Sequence, residues 1–197
     1  LCLVFGGPSA ERAISLNSVR SLYDHLRRLP EVSLTLVYVS TQLKFSVIST
    51  RWLYCNTIED FEFKLSDDNC WDKKTFLAYL YACRALVWPV IHGSFGEDGT
   101  LTSWLEDEGI DFIGSPSKTA MKVFRKSCGL NFLKHDNLVP GPYLYLEDAS
   151  CSSQISEFIQ SHKKIVCKPD DGGSSLGVFA ADSFEMFQEK FAYFKQY

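Results

Sequence analysis

A loop rich in glycine and serine follows a strand-like segment near the end of the chain, where residues 166–179 read VCKPDDGGSSLGVF. Glycine lets a backbone approach a ligand closely and adopt positive φ, and successive amide N–H groups can form a nest that binds an anion. Lys168, at the strand end, can neutralise phosphate charge. The loop residues that supply backbone and hydroxyl donors are Gly172, Gly173, Ser174 and Ser175. This combination predicts a phosphate-binding flap between two strands.

The order of these residues separates the loop from a Walker-type phosphate loop. In that motif the glycines come first and a Lys-Ser/Thr pair opens a helix, whereas here the lysine precedes the glycines and a strand-like run follows. Asp-Gly and Gly-Gly pairs are also common in plain β-hairpins. From these residues alone, a phosphate site and a plain hairpin both remain open.

A second glycine-rich turn, GGPSAER at residues 6–12, lies between the first predicted strand and the first predicted helix. Ligands collect at the carboxyl ends of strands in open parallel sheets, and a helix N-terminus attracts anions. Glu11 is itself an anion at this point. It therefore either caps the helix, which is the commoner role, or binds a cationic group of a ligand. No G-x-G-x-x-G dinucleotide fingerprint is present.

A third turn, IHGSFGEDGT at residues 91–100, also leaves a buried strand and enters a helix. It carries His92, Glu97 and Asp98 among three glycines. A single histidine after a strand is usually a hydrogen-bonded structural residue, but this density of glycine makes a pure core role less favoured. No second histidine or cysteine supplies the spacing of a zinc site, so the sequence predicts no metal ligands in this chain.

The composition of the 197 residues bounds the classes of function. The hydrophobic fraction of 46% can fill a core, and the net charge of −4 does not favour nucleic acid as a partner. The longest apolar runs are too short to cross a bilayer, so no membrane partner is expected. The seven cysteines are scattered without a CxxC pair, which favours free thiols in a reducing compartment. The chain opens inside a strand-like run without methionine, which suggests a partial chain.

The elements that must position these turns alternate between strand and helix in the first part of the chain. Apolar runs predict strands at residues 1–5, 32–40, 85–91 and 111–114, with a short edge strand at 45–49. Helical spacing predicts a first helix that ends at Leu29, before Pro30, and two further helices over residues 75–83 and 100–109. Residues 50–75 are difficult to assign. This order predicts an α/β fold with a parallel sheet and helices on its faces.

The pattern changes near residues 115–117, where we place a domain boundary. A long helix is predicted from Ser117 to Lys134, then strands at 142–146, 164–169 and 177–181, with helices at 151–162 and 182–194. Three lysines lie four residues apart on the long helix, namely Lys118, Lys122 and Lys126. This spacing is most often that of a solvated face, although one of the three could instead turn inward toward a nucleotide. The chain stops inside a helical pattern, so the second domain is expected to be unfinished.

Together, the three motifs resemble the D-alanine–D-alanine ligases of the ATP-grasp superfamily. The matching segments are GGPSAERAISLNS, HGSFGEDGTLTSWLEDEGIDFIGS and KPDDGGSSLGV, in family order across nearly the whole chain. The first segment is most similar to the plant and chlamydial branch. The resemblance implies a Rossmann-like pre-ATP-grasp substrate domain over residues 1–116 and the first, truncated part of an ATP-grasp domain over residues 117–197.

The resemblance also implies a reaction, an ATP-dependent carbon–nitrogen ligation. The family phosphorylates the carboxylate of one D-alanine, and the amine of a second D-alanine attacks the acyl phosphate to make a peptidoglycan precursor for the cell wall. The implied cofactors are ATP and Mg²⁺, and the implied partners are D-alanine, ATP and a possible second copy as a homodimer. The implied location is the cytoplasm, or a plastid if the source is a plant or an alga.

Site residues follow from the resemblance one by one. Glu11 matches the glutamate on the ammonium of the first D-alanine, which favours ligand binding over capping, and His92 matches the histidine near the carboxylate of that substrate. Lys126 and Lys168 match the lysines on the ATP phosphates. The flap serines Ser174 and Ser175 match residues that touch phosphate and substrate, with Glu11 and Ser174 as the catalytic pair and Gly172 and Gly173 as flap contacts to the nucleotide. Glu97 matches a buried structural acid, and Ser15 a support for Glu11.

Two positions depart from the family pattern. Arg125 stands where an acidic residue commonly precedes the ATP lysine, and Gly172 stands where many members have glutamate. The metal carboxylates, the adenine pocket and the oxyanion arginine of the family are expected outside this chain, so we expect the 197-residue piece alone to be inactive.

Three alternatives remain open at this point. A non-catalytic ATP-grasp remnant could bind a nucleotide or a partner, and a related ligase could use a D-hydroxy acid as second substrate. A flavodoxin-like nucleotide binder is less favoured because a strand-like run follows the flap.

Overall fold

A computed structural model describes residues 1–54, 57–63, 65, 70–135, 138, 141–147 and 152–195 of the chain. The chain folds into two compact units, Leu1–Phe124 and Arg125–Tyr197. The predicted assignment of residues 1–116 and 117–197 to two named domains stays a prediction. None of the described helices combines the length and the apolar character needed to cross a bilayer.

The first unit is built on a four-stranded sheet. Its strands are β1 (Cys2–Gly6), β2 (Thr35–Val39), β3 (Phe45–Val47) and β4 (Val87–Pro89). The strand order is β3-β2-β1-β4, with β1 parallel to both of its neighbours and β3 antiparallel to β2 at the edge. The predicted α/β fold is thereby confirmed, with a sheet that is mostly parallel. Because the chain order reverses on either side of β1, the sheet has a topological switch point between β1 and β4.

Helices cover both faces of this sheet. They are α1 (Arg12–Leu26), α2 (Ile58–Phe63), α3 (Lys73–Ala82), α4 (Thr100–Asp107) and α5 (Ser117–Phe124), with a 3₁₀ helix at Thr50–Tyr54. Alternate residues of β1 enter opposite cores, as the two-residue period of a strand requires. Cys2 and Val4 pack with α3 and α4, and Leu3 and Phe5 pack with α1.

Two predictions in this unit were wrong, one about the length of a helix and one about the existence of a strand. The first helix ends at Leu26 instead of Leu29, and a turn at Arg27 and Arg28 closes it. The segment at 111–114 is not a strand, because Phe112 makes only an isolated parallel bridge to Val87. Gly109, with φ of 64°, follows shortly after the end of α4 at Asp107.

The second unit is smaller. It contains α6 (Lys126–His135), α7 (Ser152–His162), β5 (Ile165–Cys167), β6 (Phe179–Ala181) and α8 (Phe184–Lys195). β5 and β6 form an antiparallel pair, and the apolar faces of α7 and α8 supply the core of this unit, with Ile155, Ile159 and Phe187 buried. The predicted strand–loop–strand arrangement around the glycine-serine loop is confirmed.

Two predictions in the region of residues 117–146 were wrong. The long helix over 117–134 is broken at Arg125 into α5 and α6. The backbone N–H of Lys126 donates to Asp170 O at 2.9 Å, so the break coincides with a long-range contact. The segment at 142–146 is irregular and forms no strand. Its two leucines, Leu144 and Leu146, still pack against the core of the second unit.

Candidate functional site

The glycine-rich turns at 6–12 and 91–99 leave the carboxyl ends of two neighbouring parallel strands. β1 ends at Gly6 and β4 ends at Pro89, and Val4 is paired with Pro89 in register. The turns therefore meet at the same edge of the sheet, outside the switch point where open α/β sheets bind ligands. This edge is the candidate substrate crevice of the first unit.

The first turn needs its two glycines for steric reasons. Gly6 and Gly7 have φ of 95° and 96°, a region that side chains rarely adopt. A methyl group on Gly6 would lie 2.5 Å from both the Tyr38 ring and Val39 O, and one on Gly7 would lie 2.8 Å from the Ile91 side chain. The backbone at these glycines therefore passes close to the ends of β2 and β4 before the chain enters α1.

Glu11 is buried, with only 5% of its surface exposed. It occupies the N-cap position of α1, but its side chain makes no capping hydrogen bond. Its carboxylate instead lies against the third turn, because a methyl group added to Gly93 would lie 3.1 Å from Glu11 Oε2 and would clash with Ser9 Oγ. The structure thus places a buried carboxylate between the two turns, although they are distant in the sequence.

Ser15 joins the two strands behind this carboxylate. Its hydroxyl donates to Val90 O at 2.6 Å and accepts from the Gly6 N–H at 2.8 Å. The side chain is fully buried, so the two bonds satisfy backbone groups that water does not reach. Ser15 therefore holds the first turn of α1, which Glu11 immediately precedes, on the ends of β1 and β4.

His92 is half-buried and directly follows the end of the apolar run after β4. Its Nε2 lies 2.9 Å from the hydroxyl of Ser18 on α1. This contact fixes one ring nitrogen and leaves Nδ1 as the other polar atom of the ring. Ser18 was not singled out from the sequence, because a serine on an amphipathic helix carries no local signal of such a contact.

Glu97 and Asp98 shape the third turn. Glu97 Oε2 accepts from the Gly93 N–H at 2.8 Å, and Asp98 accepts from Phe95 N and Thr100 N at 2.9 Å each. Glu97 was expected to match a buried acid, yet its side chain is largely exposed. A cavity of about 350 Å³ beside this turn has His92 and Glu97 in its wall, whereas Glu11 does not line it.

The second unit holds the flap, which we define as residues 168–178, between β5 and β6. Ser174 and Ser175 are exposed and both have left-handed backbone conformations, with φ of 49° and 59°. Gly172 has φ of 92° with open space around it, and Leu176 N donates to Gly173 O at 3.0 Å. The flap is therefore an ordered turn that exposes Ser174 and Ser175.

The two lysines expected at a phosphate site differ in their surroundings. Lys168 is exposed and makes no polar contact with the described residues. Lys126 is half-buried, and its ammonium donates to Gly172 O at 2.8 Å and to Asp170 O at 3.5 Å. Asp170 was not predicted from the sequence, since an aspartate beside a glycine turn is usually a turn residue.

The structure thus brings Glu11, Ser15 and His92 together in the first unit, and Lys126 and Gly172 together in the second. The contact of the flap with Glu11 and His92, and the roles of all these residues, stay predictions. Lys118 and Lys122 are exposed on α5, as a solvated face requires. Among the described residues, no group of three histidine, cysteine, aspartate or glutamate side chains is arranged to hold a metal ion.

Comparison with known proteins agrees with this geometry. The family model described as D-ala D-ala ligase N-terminus matches residues 1–115, which is more than half of the chain. The chain belongs to the D-alanine–D-alanine ligase family. The family resemblance expected from the three motifs is thereby confirmed for the N-terminal portion, whereas the plant and chlamydial branch stays a prediction.

Individual relatives extend the match to most of the chain. The D-alanine–D-alanine ligase of Thermotoga maritima is 31% identical over 191 residues, which covers 95% of this chain and 49% of that protein. The enzyme of Streptococcus pneumoniae strain Hungary19A-6 is 25% identical over 191 residues, covering 96% of this chain and 54% of that protein. The chain therefore spans about half the length of the curated relatives that it matches.

Solved structures show the same fold. The D-alanine–D-alanine ligase of Helicobacter pylori has a TM-score of 0.77 at 22% identity and covers all of this chain and 60% of that one. D-alanyl-alanine synthetase A of Vibrio cholerae has a TM-score of 0.72 at 22% identity, covering 97% of this chain and 54% of that one. The D-alanine–D-alanine ligase family fold is thus shared over the whole of the described chain.

Proposed function

We propose that this member of the family takes part in the ATP-dependent joining of two D-alanines. The proposed reaction activates the carboxylate of the first D-alanine as an acyl phosphate, which the amine of the second D-alanine attacks. Since the chain matches only about half the length of its relatives, the proposed activity is that of the protein at its natural length.

The observation that carries this proposal is the buried carboxylate of Glu11 at the switch point of the sheet. Glu11 does not cap α1, and it lies against Gly93 beside His92. A carboxylate in this position can hold a cationic group of a ligand through a charge-assisted hydrogen bond. An amino acid offers the matching pair of charges, with its ammonium toward Glu11 and its carboxylate toward His92. Ser18, through its contact with His92, sets which ring nitrogen faces that carboxylate.

The flap supports the second half of the proposal. Lys126 and Lys168 would supply positive charge to the ATP phosphates, and the backbone and hydroxyls of Ser174 and Ser175 would supply donors. Both serines have left-handed backbone conformations within this turn, and the successive N–H groups of a turn can form an anion-binding nest.

Magnesium does not fit the described residues, since they offer no cluster of ligands. No step of the proposal therefore passes through a metal ion held by this chain. The expectation that magnesium is bound outside this chain stays a prediction.

The test is a single substitution in the protein purified at its natural length. Glu11→Gln removes the charge and keeps the shape of the side chain, so D-alanine-dependent ADP release should fall about 10- to 100-fold, the usual cost of a lost charged hydrogen bond. ATP binding, measured by calorimetry, should stay the same. Glu31→Gln, an exposed glutamate after α1, is the matched control and should leave turnover unchanged.

The same assay separates the alternatives. ADP release by the wild-type protein with D-lactate in place of the second D-alanine would indicate the related hydroxy-acid ligase. ATP binding without any ADP release would indicate a non-catalytic nucleotide-binding module. Full turnover in the Glu11→Gln variant would remove Glu11 from the substrate site.

A further inference from the structure

We infer that Asp170 is a positioning residue that holds Lys126 and the flap in the geometry that binds the phosphates of a nucleotide. The inference rests on the proposed function, and it adds to that function a residue on which the phosphate site depends.

Asp170 ties the flap to the start of α6 through both of its carboxylate oxygens. Oδ1 accepts from the Ser127 N–H at 2.7 Å, and Oδ2 accepts from the Ser127 hydroxyl at 2.9 Å. The backbone carbonyl of Asp170 accepts from the Lys126 N–H at 2.9 Å. The first N–H groups of a helix have no partner within the helix, and a carboxylate there also complements the helix dipole. We call this set of contacts the Asp170 clasp.

The clasp determines where the side chain of Lys126 lies. Its ammonium donates to Gly172 O at 2.8 Å and to Asp170 O at 3.5 Å, so it is held at the base of the flap. An ammonium has three donors, and these two carbonyls are its only polar partners in the described part of the chain. One donor and the full positive charge therefore remain for an anion bound under the flap.

The neighbouring acid shows that this arrangement is specific to Asp170. Asp171 belongs to the same loop but is exposed, and its side chain makes no polar contact with the described residues. Lys168 has no contact with the clasp either. Removal of the Asp170 side chain should therefore loosen α6 from the flap and displace the Lys126 ammonium, whereas the same change at Asp171 should do neither.

The decisive experiment is a double-mutant cycle on ATP binding to the protein at its natural length, measured by calorimetry with magnesium present. We expect Asp170→Ala to weaken ATP binding about tenfold and Lys126→Ala to weaken it by at least as much, as for charged hydrogen bonds in general. The double variant should bind ATP like Lys126→Ala alone, because Asp170 acts through Lys126.

Two further variants guard against a change that is only structural. Asp171→Ala, the matched control, should alter the ATP dissociation constant less than about twofold, as is usual for a surface substitution. Ser127→Ala keeps the backbone contact and loses only the hydroxyl, so a smaller loss, about threefold, is expected from one neutral hydrogen bond. Without ligand, amide exchange at Lys126 and Ser127 should accelerate in Asp170→Ala and not in Asp171→Ala.

The outcomes are distinct. If the wild-type protein binds ATP and the effects of Asp170→Ala and Lys126→Ala are additive, the inference is overturned and the proposed function stands. Faster amide exchange with an unchanged ATP dissociation constant also overturns it, because the clasp would then be structural only. Absence of ATP binding in the wild-type protein at its natural length overturns the proposed function and the inference together.

Discussion

The hydroxyl of Ser18 on α1 lies 2.9 Å from Nε2 of His92, a residue 74 positions later in the chain. The contact joins α1, which Glu11 immediately precedes, to the turn after β4. It gives His92 a fixed orientation at the edge of the sheet where the two glycine-rich turns meet.

We expect Ser18→Ala to change the tautomer balance of His92, because Nε2 loses its only polar partner among the described residues. Nitrogen-15 chemical shifts of the ring measure this directly and need no substrate. Ser21→Ala, an exposed serine on the same helix, should leave the ring signals of His92 in place. Identical spectra for wild type and Ser18→Ala would contradict the assigned contact.

Ser15→Ala should destabilise the first unit by about 2 kcal/mol, because it strips the buried Val90 carbonyl and the Gly6 N–H of a shared partner. Urea unfolding followed by tryptophan fluorescence measures the effect. All four tryptophans lie in the first unit, at Trp52, Trp71, Trp88 and Trp104, so the signal reports that unit alone. Ser21→Ala again serves as control, and an equal midpoint for both variants would refute the role of Ser15.

Gly93→Ala should be more harmful than Gly109→Ala, although both glycines have left-handed φ, of 75° and 64°. The shared backbone strain costs about 1–2 kcal/mol. At Gly93 the added methyl also meets Ser9 Oγ and Glu11 Oε2, whereas nothing lies within 4 Å at Gly109. We expect a further loss of about 1–3 kcal/mol at Gly93 from overpacking. Comparable unfolding midpoints for the two variants would show that Glu11 does not lie against Gly93.

The acid stability of the first unit should depend on Glu106. Ser117 donates to both carboxylate oxygens of Glu106, from its N–H and from its hydroxyl, and these bonds hold the pKa of Glu106 below its usual value of 4.5. A lowered pKa stabilises the fold above the unfolded value, and this contribution is lost as the pH falls through the folded value. The difference in unfolding midpoint between wild type and Glu106→Gln should therefore become smaller as the pH falls below 4.5. Parallel pH profiles of the two unfolding midpoints would contradict this.

The thiol of Cys2 should resist alkylation in the folded protein. Burial raises its pKa from 9.0 to about 12, whereas Cys83 and Cys128 are exposed. At pH 8, iodoacetamide followed by peptide mapping should label the two exposed thiols and reach Cys2 only after unfolding. Since folding raises this pKa, ionisation of Cys2 does not affect the free energy of unfolding below pH 9. That free energy should fall as the pH rises from 9 toward 12. Early labelling of Cys2 would show that β1 is not a central, buried strand.

Elements with a strong local signal could be predicted from the sequence. The apolar runs of β1 and β2 and the periodic pattern of α3 were correctly assigned, because burial on two faces or on one stripe leaves a pattern within a few residues. The strand predicted at 142–146 shows the limit of that signal. Its alternation did place Leu144 and Leu146 toward the core, but a strand also needs a partner backbone, which lies elsewhere in the chain.

The break between α5 and α6 had no local signal either. Residue 125 is an arginine, a good helix former, and no proline or glycine stands there. The second helix begins at Lys126, whose backbone N–H donates to the carbonyl of Asp170, 44 residues later. Helix propensity therefore could not reveal where one helix ends and the next begins.

Residue types and short spacings were sufficient to predict the family, the α/β order of the elements and the three turns rich in glycine. The packing of the folded chain, in contrast, was needed to show that Glu11 lies against Gly93, that Ser18 contacts His92, and that Asp170 rather than Asp171 is hydrogen-bonded to the start of α6. Each of those contacts joins residues more than 40 positions apart. Strand pairing and packing create such contacts, and neither leaves a periodic trace in the segments that they bring together.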